Sequence, residues 1–290
     1  MNKLLIALLA TIAVAAQAST ITGAGATFPA PVYSKWAEAY KAQTGLQLNY
    51  QAIGSGGGIK QIDAKTVDFG ATDDPRKQPE LTDKKQSQFA TVKGGVVAVV
   101  NIPDVTSNQI NLTARQLGEI YEGKITNWKQ VDSKLPDMAI TRVVRADSSG
   151  TTAVFTGYLA KTGSDIKAGK TVKWSDGLVV AGKGNAGVAA LVQQTKGTIG
   201  YVEYAYAKQG NLVTTRLNGA EASFDNFVSG KYELTAATYV IFYNEGVNQE
   251  AVKFWLWAIA NGDKMAQDLD YVPLSAKEKA ESVKVLKSLK

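Results

Sequence analysis

Strands that end in small residues and turn at once into helices recur along this chain, and that alternation confines it to an α/β architecture built on parallel strands. Thr20-Ile21-Thr22 runs through Gly23-Ala24-Gly25 into Ala26-Thr27-Phe28-Pro29. Val32, Tyr33, Trp36, Ala37 and Tyr40 then fall at helical spacing, with Gly45 as the stop. Leu46, Leu48 and Tyr50 alternate with polar residues as a strand does, and Ile53–Gly58 is a glycine-rich turn opening a short helix to about Ala64. A third strand from Val67 leads through Gly70-Ala71-Thr72 to Asp73-Asp74-Pro75. At Thr27, Ser55 and Asp73 the same event leaves a hydroxyl or a carboxylate near a loop tip. In open α/β sheets ligands gather at the carboxyl ends of strands, although polar loop tips are ordinary in any α/β protein.

The densest such junction is Arg145-Ala146-Asp147-Ser148-Ser149-Gly150-Thr151-Thr152, between the apolar run Ile140–Val144 and the helical run Ala153–Lys161. The first turn of a helix leaves its N–H groups unpaired and carries partial positive charge, so it suits a tetrahedral oxyanion. Arg145 adds a planar fork matched to phosphate-like oxygens, and Asp147 is placed to hold that fork. The same residues also suit an ordinary capped helix carrying a surface Arg–Asp pair.

Elsewhere, Phe89–Val92 and Gly94–Asn101 read as a strand pair that carries the chain into a second domain. Thr113–Glu122 is a short helix capped by Thr113, and Lys124–Val131 an irregular connector. Gly182-Lys183-Gly184-Asn185-Ala186-Gly187 matches the dinucleotide pattern G-x-G-x-x-G, with Glu203 near the place of a ribose-binding acid. The strand before it is very short, which favours a tight turn at a helix start. Ile199–Val202, Val213–Leu217 and Thr238–Tyr243 read as strands, the last returning to the first domain. Glu250–Ala260 is a helix packing on that sheet, with Trp255 and Trp257 in the core, and Ala276–Leu289 is a terminal helix. No internal repeat is visible. Crossings near Val92–Gly95 and Glu233–Ala237 divide the chain into a domain of residues 19–92 plus 237–290 and an inserted domain of residues 93–236.

Composition narrows the chemistry. Among 290 residues there is no cysteine and no histidine, which removes disulfides, lipid-modified cysteine, Ser-His-Asp triads and the commonest ligand of zinc, copper and iron. The formal charge is +6, with lysines scattered rather than clustered with aromatics as in a nucleic-acid reader. Lys3, the apolar run Leu4–Ala16 and the small-x-small site Ala16-Gln17-Ala18 form a secretory leader cleaved after about Ala18. The expectation is a protein secreted out of the cytoplasm, without direct membrane insertion.

Thr22–Pro31, Ile53–Gly58, Val67–Asp73 and Arg145–Thr151, supported by Gly200–Lys208, together make the chain similar to the periplasmic phosphate-binding proteins of high-affinity phosphate ABC transporters. The resemblance spans nearly all of the chain beyond the leader. It departs where Ser55-Gly56 replaces a frequent Ser-Ser-Gly, where Ser148 replaces a frequent Gly, and in a shorter segment before the final strand. It implies an α/β fold: a two-domain periplasmic binding protein, type II-like, with two hinge strands and an interdomain ligand cleft. It implies contacts to inorganic phosphate from Thr27, Phe28, Ser55, Asp73, Arg145, Ser149, Gly150 and Thr151, with Asp147 behind Arg145. The implied partner is an inner-membrane ABC permease, the protein is a monomer without cofactor or metal, and it is no enzyme. A secreted phosphatase with Ser149 as nucleophile, a phosphate-binding adhesion protein and a binder of another oxyanion are the alternatives. For the phosphatase, a general base for Ser149 is not evident.

Overall fold

The computed structural model of the chain describes residues 20–290. The leader peptide read at residues 1–18 lies outside the described residues. The strands, in chain order, are β1 (Thr20–Gly25), β2 (Gln47–Ala52), β3 (Phe69–Thr72), β4 (Gln86–Asn101), β5 (Asn111–Leu112), β6 (Thr141–Arg145), β7 (Val179–Gly182), β8 (Thr198–Glu203), β9 (Val213–Thr214), β10 (Arg216–Leu217) and β11 (Thr235–Tyr243). One curled sheet runs β2-β1-β3-β11-β4-β8-β6-β7, with β9 also on β4, while β5 and β10 pair separately.

This sheet contains one strand plan twice. In the first lobe β1 pairs in parallel with β2 and β3, β11 joins β3 antiparallel, and β4 joins β11 antiparallel. In the second lobe β6 pairs in parallel with β7 and β8, β4 joins β8 antiparallel, and β9 joins β4 antiparallel. The sequence shows no repeat because shared topology constrains the path of the backbone and leaves the side chains free.

β4 is a single strand of 16 residues rather than the expected pair. Its first part, Gln86–Gly95, lies along β11, and its last part, Val96–Asn101, lies along β8. Gly94 and Gly95 stay within the strand and serve packing: a Cβ on Gly94 would stand 3.0 Å from the Phe28 ring, and one on Gly95 would enter the Phe227 ring. Beside this crossing the chain returns, with Val96 N–H bonded to the Leu234 carbonyl at 2.9 Å. The segment expected as one strand at Val213–Leu217 divides into β9 and β10, which have different partners. Lys124–Val131 is more regular than expected. A helical turn, Trp128–Val131, is closed by a capping box of Asn127 and Gln130. Trp128 is fully buried there and donates to the Gly197 carbonyl.

Each lobe has its own aromatic core. In the first, helix Ala30–Thr44 buries Val32, Tyr33, Trp36 and Tyr40, and helix Gln249–Asn261 buries Phe254 and Trp255. Trp255 meets Tyr33, Phe69 and Phe89 edge-on, while Trp257 stays half-buried at the rim. In the second, Tyr201 stacks on Phe155 and Tyr121 meets both. Rings packed in this way add about 0.5–1.5 kcal/mol per pair beyond area burial.

Candidate functional site

Helices Ala30–Thr44 and Ser55–Asp63 of the first lobe, and Gly150–Lys161 and Gly184–Gln194 of the second, begin at the line where the lobes meet. Their N-termini bring partial positive charge to one place. The second lobe contributes Arg145 from the end of β6. Its side chain is 1 % exposed, so the Arg–Asp pair is not a surface ion pair. Asp147 accepts from Arg145 Nε at 2.8 Å and Nη2 at 2.6 Å, and from the Gly184 N–H at 2.9 Å. Burial raises the Asp147 carboxyl, but the Arg145 guanidinium and these bonds outweigh it and hold the carboxyl below its ordinary range. The guanidinium is thereby locked, with Nη1 3.3 Å from Thr151 Oγ1 and Nη2 3.2 Å from Thr27 Oγ1 across the cleft.

The hydroxyls are backed by donors. Ser149, the N-cap of helix Gly150–Lys161, accepts from the Thr152 N–H at 3.0 Å, and Ser55 Oγ accepts from the Asp73 N–H at 3.3 Å. A hydroxyl that takes an N–H on one lone pair keeps its own proton free to be donated elsewhere. Ser55, Ser149 and Thr151 are all at most 1 % exposed.

Thr27 and Phe28 lie in a segment whose carbonyls are fixed by three tyrosines. Tyr50 donates to the Ala26 carbonyl at 2.7 Å, Tyr206 of the second lobe to that of Thr27 at 2.6 Å, and Tyr271 to that of Phe28 at 2.6 Å. In a trans peptide the N–H points opposite the preceding carbonyl. Tyr50 and Tyr206 therefore set the directions of the Thr27 and Phe28 N–H groups.

Asp73 is the exception among these donors. It is 4 % exposed; Oδ1 accepts from the Thr238 hydroxyl at 2.6 Å, and a Cβ added to Gly150 would lie 2.7 Å from Oδ2. Burial pushes its carboxyl up to about 7, against the opposing effects of Thr238, Arg145 and Ser55. The arrangement is thus a ring of donors with one carboxylate edge turned inward, which fits a tetrahedral oxyanion that still carries a proton. Among the described residues, no cluster of His, Cys, Asp and Glu is suited to a metal ion.

All eight expected contact residues, and Asp147, meet at this cleft, and the lobes touch around it. The Gly56 N–H bonds the Ser148 carbonyl at 2.9 Å, and Lys170 pairs with Asp74 while its own carbonyl accepts from the Ser149 N–H. Four participants were not read from the sequence: Asn185, Thr238, Tyr206 and Lys170. The G-x-G-x-x-G stretch is the start of helix Gly184–Gln194, which supplies Gly184 and Asn185 to the cleft. Glu203 is fully buried and caps helix Tyr204–Gln209 through the Ala205 N–H.

A profile of the PBP superfamily domain matches residues 10–262. Phosphate-binding protein PstS of Pasteurella multocida is 41 % identical over 93 % of this chain and 91 % of its own length. The chain belongs to the PstS family. The Haemophilus influenzae PstS protein is likewise 41 % identical, over 90 % of each chain. Among solved structures, an ABC-type phosphate transport receptor from Vibrio cholerae aligns with a TM-score of 0.65 at 25 % identity, over 88 % of this chain and all of the other. A Clostridium perfringens phosphate ABC transporter substrate-binding protein with bound phosphate aligns at 0.77 over 89 % of this chain and, at 22 % identity, speaks for the fold. PstS membership and these alignments agree with the two-lobed α/β architecture, and no described helix is long and apolar enough to cross a membrane.

Proposed function

We propose that this PstS-family protein captures inorganic phosphate between its lobes and delivers it to an ABC importer in the inner membrane. Asp73 carries this reading. Phosphate at neutral pH keeps a proton and sulfate does not, so a donor cage with one inward carboxylate bonds phosphate fully and sets two anionic oxygens against each other with sulfate. A buried polar group left unpaired in this way discriminates by up to about 10⁴–10⁵-fold. Thr27, Phe28, Ser55, Arg145, Ser149, Gly150 and Thr151 donate, Asp73 accepts, and Asp147 holds Arg145. Residues 19–92 with 237–290, and 93–236, are the two moving bodies. One chain supplies both walls of the cleft, in keeping with a monomer, and a leader cleaved after about Ala18 supports a periplasmic location.

Calorimetry on protein stripped of phosphate tests this. Phosphate and arsenate, which both carry protons, are expected to bind, and sulfate and molybdate to give no heat at matched concentration. Tight sulfate binding at pH 8, where the Asp73 carboxyl is ionised, would overturn the reading. The protein is a carrier and no enzyme: no chromogenic release from a phosphomonoester is expected, since the Ser149 hydroxyl serves as a helix cap, accepting from the Thr152 N–H at 3.0 Å.

Closure has a steric requirement at Gly150. A Cβ there would collide with Ser55 Oγ and stand 2.7 Å from Asp73 Oδ2, on the opposite lobe. Gly150→Ala is expected to weaken phosphate binding by at least about 100-fold. Its melting temperature without phosphate should be little changed, because the clash is with the opposite lobe and arises only on closure. Calorimetry and thermal unfolding on the same sample check both halves.

A further inference from the structure

Asn185 is fully buried and neutral, yet it touches both walls of the cleft. Its carboxamide oxygen accepts from the Glu203 N–H at 2.9 Å. That N–H can only donate, so the NH₂ end of Asn185 is obliged to face the other way. There Nδ2 meets Thr27 Oγ1 at 2.8 Å and Thr151 Oγ1 at 3.3 Å, while the Asn185 backbone N–H reaches Thr27 Oγ1 at 3.1 Å. With Arg145 Nη2 at 3.2 Å, three donors converge on the Thr27 hydroxyl. A hydroxyl has two lone pairs and one proton. Three donors more than fill these two lone pairs and must share them, which turns the hydroxyl's own proton away from Arg145 and Asn185. Thr151 stands in the same relation to Arg145 Nη1 and Asn185 Nδ2.

We infer that Asn185 is a positioning residue for anion capture: it turns the Thr27 and Thr151 hydroxyl protons toward the bound oxyanion and ties the two lobes together once they meet. The inference rests on the phosphate reading given above. Thr27 belongs to the first lobe and Asn185 to the second, so their bonds form on closure. Their loss therefore falls on release and spares encounter, as is usual for changes at a formed interface. Replacing Asn185 also leaves the Glu203 N–H without its partner, which is the effect to be separated from the positioning role.

The test is a double-mutant cycle with inorganic phosphate, using wild type, Asn185→Ala, Thr151→Val and the double variant, read by stopped-flow kinetics and calorimetry. Asn185→Ala is expected to release phosphate about 10- to 100-fold faster, with association within about twofold of wild type. Thr151→Val should cost at least about fivefold less in the Asn185→Ala background than alone, because Thr151 then keeps Arg145 Nη1 as its one donor, whereas Thr27 still holds Arg145 Nη2 and the backbone N–H of residue 185. Asn185→Asp is the second variant. It keeps an oxygen on the Glu203 N–H but offers the threonines an acceptor, so their protons turn away from the ligand and binding should fall further than with alanine. Additive losses in the cycle, or wild-type release from Asn185→Asp, would show that Asn185 only anchors Glu203 and would overturn the inference alone. Absence of phosphate binding by the wild type would instead overturn the phosphate reading and this inference with it.

Discussion

Arg145→Ala is expected to weaken phosphate binding by about 10³-fold or more, measured by calorimetry. Hydrogen bonds to charged groups contribute roughly 1.5–3 kcal/mol each, and the guanidinium is the formal positive charge that the geometry holds against the cleft hydroxyls of both lobes. Part of the loss comes from Asp147, which keeps the Gly184 N–H but loses its ion pair; stranding one partner of a buried pair costs about 3–5 kcal/mol. The double variant Arg145→Ala/Asp147→Ala removes that stranded carboxylate and should recover stability without recovering affinity. Arg145→Lys keeps the charge but not the fork, and should fall between wild type and alanine. Wild-type affinity in Arg145→Ala would remove the guanidinium from the site.

Asp73→Asn should cost less affinity and more selectivity. An amide offers sulfate an N–H where the carboxylate offered a lone pair, so competition titration should find the preference for phosphate reduced to within about tenfold. The wild type should show a graded form of the same change. As pH falls below about 7 the Asp73 carboxyl takes up a proton and becomes a donor, so sulfate should bind better at pH 5 than at pH 8. Stability gives a second readout. The carboxyl holds its proton to about 7 in the folded protein, against 3.8 for an unperturbed aspartate. The folded state then binds the proton more tightly than the unfolded chain. The stabilisation is complete below about pH 4 and is lost as pH rises through 7, on the order of a few kcal/mol. Asparagine carries no such proton. Without phosphate, the melting temperature of Asp73→Asn should therefore exceed that of wild type most clearly above pH 7, with the gap closing toward pH 4. An unchanged phosphate-to-sulfate ratio would exclude Asp73 as the selecting group.

The legible part of this molecule was its sequence of strand ends. Thr27, Ser55, Asp73 and Arg145–Thr151 each follow a strand and precede a turn or helix, and that position alone brings them to one edge. What escaped depended on contacts between distant segments. Asn185 lies in a glycine pattern associated with nucleotides, and a lone asparagine has no chemical signature until Thr27, 158 positions away, is set beside it. Thr238 sits inside β11, where an irregular register between Thr238 and Tyr239 accompanies its turn toward Asp73. Nothing local marks such an irregularity. Gly94-Gly95 looked like a break because glycine interrupts a β-branched run, whereas the rings of Phe28 and Phe227 occupy the space their side chains would have filled.

β11 is made late yet belongs to the middle of the first lobe, between β3 and β4. Until residues 235–243 arrive, those two strands present open edges and the first lobe has no finished sheet. The second lobe's part of the sheet uses strands that all precede β11 in the chain. A polypeptide emerging N-terminus first would thus complete its inserted half before the half it began with. The earliest-made segments must wait, with long-range pairing as the slow step of maturation.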